Sequence, residues 1–161
     1  MGKHDIIVSD KLYLDFDDAK DIKENEEVTL RHLGNVIIKE IKENSDGSFL
    51  LKGEFNKDGS PKTTEKKLTW LAITDDMISA KLTYFDHLIT KPKVEEGDDL
   101  KDLVNEKSKW IIDAFVDSNL KDLKKSESIQ IERVGYFICD SEYSNDLILF
   151  NTPDGHSTKE K

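Results

Sequence analysis

The chain of 161 residues contains one cysteine, three prolines and no long apolar run. One cysteine excludes an internal disulfide and fits a reducing compartment. Cys139 ends an apolar strand pattern, which reads as a buried structural thiol rather than a nucleophile. No apolar stretch approaches the roughly 20 residues that cross a bilayer, and the N-terminus lacks a signal-peptide pattern. Both absences point to a soluble cytoplasmic chain with no membrane partner. A GxxxxGK[ST] phosphate loop, a GxSxG elbow and a GxGxxG turn are also missing. His4, His32, His87 and His156 lack metal-ligand spacing, and a single cysteine cannot build a zinc site. Asp15, Asp17 and Asp18 lie close together, but such runs are mostly solvated turns. The residues give no reason to assign catalysis, a metal or a cofactor to this chain.

Charge is abundant instead. Charged residues make up 36% of the chain and hydrophobic residues also 36%. That composition suits a folded chain with a thin core, as in small barrels that bury alternate side chains. The formal net charge of −10 argues against a nucleic-acid partner taken as an average, because phosphates repel an acidic surface. The charges are segregated, however. Lys62, Lys66 and Lys67 cluster, as do Lys121, Lys124 and Lys125, and His87, Lys91 and Lys93. Acid gathers at 15–18, 24–27 and 95–99. A basic face on an acidic background can bind RNA, and each lysine cluster can equally be a solvated face.

Most segments alternate with period two. EVTLRHL (27–33) reads as a strand with Val28, Leu30 and His32 on one side and Thr29 and Arg31 on the other. Residues 36–41 and 49–55 flank Asn44-Ser45-Asp46-Gly47, where Asp-Gly supplies the positive φ of a tight hairpin turn. NKDGSP (56–61) is a second turn cluster. KKLTWLA (66–72), AKLTYF (80–85), 126–139 and 147–151 complete the predicted strands. Helical signals are short: Asp98-Asp99 can cap a segment whose Leu100, Leu103 and Val104 share a face, and NLKDL (119–123) reads as one turn. No internal repeat is evident. Strands at short intervals with little helix predict an all-β barrel or sandwich.

Recognition chemistry concentrates in LKDLKKSESIQIERVGYFICD (120–140). Single-stranded RNA is read by stacking bases on planar side chains and hydrogen-bonding their edges, with Lys and Arg on phosphates. Gln130 and Glu132 fall opposite Ile129 and Ile131 and point away from the core, where Phe137 also belongs. Gly135 breaks the alternation, which predicts a bulge that re-aims Arg133. Arg offers a planar fork of donors, and Gln offers a donor and an acceptor. The pattern alone also fits an ordinary strand with a polar outer face.

Seven segments, in order, resemble the C-terminal half of the eukaryotic-type glutamyl-tRNA synthetase family: KLYLDFDDAK (11–20), EVTLRHLGNVIIKEIKENSDGS (27–48), KKLTWLA (66–72), TYFDHLITKP (83–92), DSNLKDLKK (117–125), IQIERVGYFICD (129–140) and PDGH (153–156). The sister glutaminyl enzymes share the strand near Glu27 and the Q-x-E-R-x-G-Y-F pattern, while DHLITKP and PDGH resemble the glutamyl branch. The resemblance implies two small antiparallel β-barrels that bind the anticodon stem-loop of tRNA(Glu). It assigns the proximal barrel to 5–69 plus 130–151, the distal barrel to 70–129 and a tail to 152–161. The proximal barrel would be incomplete at its N-terminal edge, since strands expected before Lys11 are missing.

The matched Q-x-E-R pattern implies that Gln130 and Arg133 contact the anticodon, and Arg31 falls where the glutaminyl enzymes carry a contacting Arg. His87, Lys91, Lys93, Lys124 and Lys125 join them on electrostatic grounds alone. The family's HIGH-type and KMSKS-type motifs are absent, so this part would itself neither activate glutamate nor hold a cofactor. ATP and Mg would serve the catalytic domain of the same enzyme, a glutamate–tRNA ligase of which this chain would be a monomeric fragment. The alternatives are the same domain of a glutaminyl-tRNA synthetase, or an acidic β-module that binds protein partners.

Overall fold

The structure, a computed structural model, describes residues 5–153. It is all-β, with eleven strands and three short helical turns among the described residues. Two compact units divide between Asp75 and Asp76.

In the first unit, β1 (Leu12–Leu14) leads into a one-turn helix α1 (Phe16–Ala19), capped where the Asp15 side chain accepts from the Asp17 backbone N–H. Strands β2 (Glu27–Leu30), β3 (Gly34–Glu43), β4 (Phe49–Asn56) and β5 (Lys67–Leu68) follow, then β6 (Trp70–Ala72). They form a four-stranded sheet of order β4-β3-β2-β5 and a two-stranded ladder of β1 with β6. Gly47 takes φ 83° in the β3–β4 turn, as the Asp-Gly signal predicts. The inward positions Val28, Leu30, Ile38 and Leu68 pack with Ile22 into the core.

The second unit contains β7 (Ile78–Phe85), a capped turn α2 (Leu100–Leu103), β8 (Lys109–Val116), a 3₁₀ turn (Ser118–Asp122), β9 (Ser128–Ile131), β10 (Gly135–Ser141) and β11 (Asp146–Thr152). They make one sheet of order β8-β7-β11-β10-β9. Its core is Ile78, Ala80, Leu82, Val116, Phe137, Cys139, Leu147 and Leu149, with Phe137, Leu147 and Leu149 fully buried. Fully burying a side chain of this size stabilises by about 1.5–3 kcal/mol.

The pairing departs from the expected architecture in four ways. The ladders among the described residues do not close into barrels, and two of them, β11 with β7 and β2 with β5, are parallel. Among the described residues, no ladder joins 130–151 to 5–69. Residues 130–151 join β7 through Leu147↔Ala80 and Leu149↔Leu82, which puts their apolar face in the second core. The segment 126–139 is a hairpin rather than one strand, because residues 132–134 form a turn. Gly135 is therefore the first residue of β10, and the irregularity in that strand lies between Cys139 and Ser141. Finally, β8 has no counterpart among the predicted strands. KWIIDAFV does not alternate, and Trp110, Ile111, Ile112 and Phe115 remain about half exposed on an edge strand paired only to β7.

The two units share a repeated substructure that leaves no evident repeat in the sequence. In the first, Asn25 N–H donates to Ile38 O (2.7 Å), Ile38 N–H to Glu26 O (2.9 Å) and Leu33 N–H to Leu30 O (3.1 Å). In the second, Ser126 N–H donates to Cys139 O (2.7 Å), Cys139 N–H to Glu127 O (2.9 Å) and Val134 N–H to Ile131 O (3.1 Å). Glu26 caps Lys23 N–H and Glu127 caps Lys124 N–H, both at 2.8 Å. Among the described residues, Asn25, His32, Ser126 and Arg133 are the non-glycine residues at positive φ, two in each copy. Register partners match too: Thr29↔Asn35 and Leu30↔Gly34 against Gln130↔Tyr136 and Ile131↔Gly135.

Candidate nucleic-acid interface

The chain has two arginines, Arg31 and Arg133, and both lie in the turns of these repeated hairpins. Strand β2 ends at Leu30, so Arg31, His32 and Leu33 form a three-residue turn rather than continuing the strand. The turn closes because His32 takes φ 63° and Gly34 φ 139°. Arg31 is held through its backbone: its N–H donates to Leu68 O (3.0 Å) and its carbonyl accepts from Trp70 Nε1 (2.8 Å). Its side chain is exposed. Arg133 takes φ 65° ahead of Gly135 at φ 148° and is exposed with Glu132 and Val134. Glu132 thus sits in the turn and not on the face that Gln130 occupies. A fixed turn presenting a guanidinium suits bidentate recognition of phosphate or a base edge.

Gln130 is exposed on β9 while Ile129 and Ile131 pack on the core. Its register partner Tyr136 lies on the same face and is 45% exposed. Across the sheet, Tyr136 pairs with Thr152 and Phe150 with Thr83, and Phe150 meets Phe85 edge to face at 5.1 Å. Gln130, Tyr136, Phe150 and Phe85 therefore share one face, toward the end of the sheet where the Arg133 turn lies. Tyr136 was not among the residues that the sequence singled out. Its position one strand from Phe150 and two from Phe85 emerges only from the ladder register.

The loop after β7 reaches that same end, because β7 runs parallel to β11 and β11 antiparallel to β10. His87 and Lys93 are exposed in that loop, which leaves β7 two strands from β10 and three from β9. Lys91 is not available as an isolated cation: its ammonium sits 2.7 Å from Asp98, whose carboxyl this bond holds below the usual range. Lys124 and Lys125 precede β9 and so lie at the opposite end from Arg133. Lys124 Nζ is 3.4 Å from Glu142, and Lys125 N–H donates to the same carboxylate (3.2 Å). The geometry brings together Gln130, Arg133, His87 and Lys93 at one end of the second sheet, with Lys124 and Lys125 at the other.

The equivalent face of the first unit is closed. Thr29 and Asn35, at the positions of Gln130 and Tyr136, are 5% and 1% exposed. Thr29 Oγ1 donates to Asn35 Oδ1 (2.9 Å) and lies 2.6 Å from Thr64 Oγ1. Asn35 Nδ2 donates to Glu27 Oε1 (2.9 Å) and Ser60 O (3.1 Å), and Asn56 Nδ2 also donates to Glu27 (2.8 Å). This network pins residues 57–66 over the strands. Lys66 adds an ion pair to Glu26 at 2.7 Å. Burial alone would raise the Glu26 carboxyl, but the bonds from Lys66 and the Lys23 N–H outweigh it and hold it low.

No group of three or more His, Cys, Asp or Glu side chains able to hold a metal occurs among the described residues. No helix there is long and apolar enough to cross a membrane. Cys139 is 1% exposed, and burial together with Glu142, Asp140 and Glu127 pushes its thiol up. It is a core residue, as its sequence setting suggested. The PDGH segment lies largely outside the described residues, as does His156.

Two family models match the chain, over residues 1–56 and 67–140, and both describe the anti-codon binding domain of class I tRNA synthetases (E and Q). The cytoplasmic glutamate–tRNA ligase of Arabidopsis thaliana is 44% identical over 92% of this chain and 21% of its own length. That of Saccharomyces cerevisiae is 41% identical over 98% of this chain and 22% of its own. The bifunctional glutamate/proline–tRNA ligase of Mus musculus is 36% identical over 99% of this chain and 11% of its own. The chain spans about a fifth of the length of the single-function relatives it matches. With both models in sequence order and the ladder geometry behind them, the chain belongs to the anticodon-binding domain family of the class I glutamyl and glutaminyl tRNA synthetases.

Proposed function

We propose that the chain is the anticodon-binding part of a cytoplasmic glutamate–tRNA ligase, and that it grips the anticodon stem-loop of tRNA(Glu) as a monomer. The observation that carries this reading is the match of both units to anticodon-binding domains. The identities of 41–44% to cytoplasmic glutamate–tRNA ligases favour the glutamyl branch over the glutaminyl one. Binding at the anticodon would set the tRNA so that its acceptor end reaches a catalytic domain elsewhere in the enzyme, and positioning of this kind is what converts recognition into rate. That catalytic domain would use ATP and Mg; the residues of this chain supply grip and discrimination.

Arg133 and Gln130 would contact the loop, with His87 and Lys93 near phosphate at the same end of the sheet and Arg31 contributing from the first unit. Lys91, Lys124 and Lys125 would add a weaker, long-range pull, since Lys91 and Lys124 are paired with acids. The test is a titration of the chain with anticodon stem-loops of glutamate and glutamine tRNA at two salt concentrations. Tighter binding of the glutamate stem-loop, weakening with salt, is expected. Absence of salt-dependent binding to either would overturn the reading.

A further inference from the structure

The two repeated hairpins put their outer faces to opposite uses. Asn35 is buried and donates to Glu27 and Ser60, under a loop that also ties down Thr29 through Thr64. Strand β2 is further covered on its outer edge by β5, with Thr29 N–H donating to Lys66 O (3.0 Å). In the second unit neither cover exists among the described residues. Strand β9 is the sheet edge, paired only to β10, and Tyr136 stands 45% exposed beside exposed Gln130. A surface tyrosine whose backbone is locked in the middle of a sheet offers a rigid π-face. Such faces stack unpaired bases of any identity, while a neighbouring amide reads the edge.

We propose that the Tyr136 ring is the stacking platform for one unpaired base of the bound RNA loop, that Gln130 reads the edge of that base, and that of the two repeated faces only this one takes RNA. The inference rests on the anticodon-binding reading and adds to it a residue and a division of labour. Three features of the face suit a single-stranded RNA occupant. Its polar group beside the ring is a neutral donor–acceptor. The one guanidinium of the unit lies at the adjoining turn. The β9 edge leaves backbone groups directed outward, as Thr29 N–H is in the first unit before β5 meets it.

The experiment uses the whole chain and the glutamate anticodon stem-loop with 2-aminopurine placed at each loop position in turn, since stacking quenches that fluorophore. The wild type should quench one position strongly on binding. Tyr136→Phe keeps the π-face and should retain both affinity and quench. Tyr136→Ala should lose the quench at that position and weaken binding about 5- to 150-fold, the fold-change equivalent of the ~1–3 kcal/mol that stacking on an aromatic contributes per base. Tyr136→Leu, which keeps apolar bulk without a ring, guards against loss of fold and should behave like Tyr136→Ala. If the wild type binds with salt dependence while Tyr136→Ala binds and quenches like it, the platform is wrong and the anticodon-binding reading stands. If the wild type does not bind the stem-loop at all, both fall.

Discussion

His32 and Arg133 hold the same left-handed conformation, φ 63° and 65°, at the middle of two matching three-residue turns, each followed by a glycine at positive φ. An L-residue in this region costs of order 1–3 kcal/mol and persists only where its surroundings over-determine it. Here the surroundings are the paired strands on either side and the 3.1 Å closing bonds Leu33 N–H to Leu30 O and Val134 N–H to Ile131 O. The strained turn fixes the direction of whatever side chain it carries, which is useful only where direction matters.

Arg133→Ala should weaken binding of the glutamate stem-loop by ~1–3 kcal/mol, the scale of a good bidentate contact. Lys124→Ala should cost less, because its ammonium faces Glu142 at 3.4 Å and lies at the other end of β9. Parallel titrations of the two variants test the ranking; equal losses would contradict it.

The two turn glycines should differ in tolerance. A Cβ on Gly34 would meet Phe55 Cζ at 2.8 Å, whereas one on Gly135 would meet Asn151 Nδ2 at 3.3 Å. Both substitutions impose positive-φ strain of about 1–3 kcal/mol. Gly34→Ala adds the displacement of a ring, so its urea midpoint should fall further than that of Gly135→Ala.

Asn35→Ala should unlock the loop over the first hairpin. It removes the donor to Glu27 and Ser60 and the acceptor that faces Thr29 Oγ1, bonds that each contribute about 0.5–1.5 kcal/mol net. Limited proteolysis should then cut within residues 57–66 faster than in the wild type, with the second unit unaffected.

Glu26 makes the first unit sensitive to acid. Its folded-state pKa lies below the usual value of 4.5, so its pair with Lys66 stabilises the fold above that pH. The contribution is lost as pH falls from 4.5 through the lower folded-state value. Glu26→Gln should therefore be less stable than the wild type at pH 7, with the gap closing as pH falls below 4.5, as followed by urea unfolding.

The Cys139 thiol should resist alkylation in the native chain. It is buried and its pKa is raised, so little thiolate forms and none of it reaches reagent. Labelling with a chromogenic disulfide reagent should track unfolding in denaturant; rapid labelling in native buffer would contradict this.

Much of this fold was legible in the residues. Alternation put Val28 and Leu30 on one side of β2 and Ile129, Ile131 and Phe137 in the core, and Asp-Gly placed the β3–β4 turn, because both signals are local. The turns at 31–33 and 132–134 were not read as turns: each puts two polar residues between apolar ones without a Gly or Pro inside it, and nothing short of the backbone shows that His32 and Arg133 turn left-handed. The acidic partners of the lysine clusters were hidden for a related reason. Lys91 and Lys124 look basic in sequence, yet Asp98 and Glu142 stand against them once folded.

By itself, then, the sequence determined the class of the chain: strands at short intervals, a thin core, one buried thiol, and a segment order that belongs to one family. Only the tertiary structure decided that two copies of one hairpin serve different ends. Backbone pairing is indifferent to side-chain identity, so Thr29–Asn35 and Gln130–Tyr136 can occupy the same lattice of hydrogen bonds. What lies over that lattice is a long-range matter, set by where residues 57–66 can reach and bond. Over the first hairpin they bury Asn35; over the second nothing described does the same, and Tyr136 stays open to solvent.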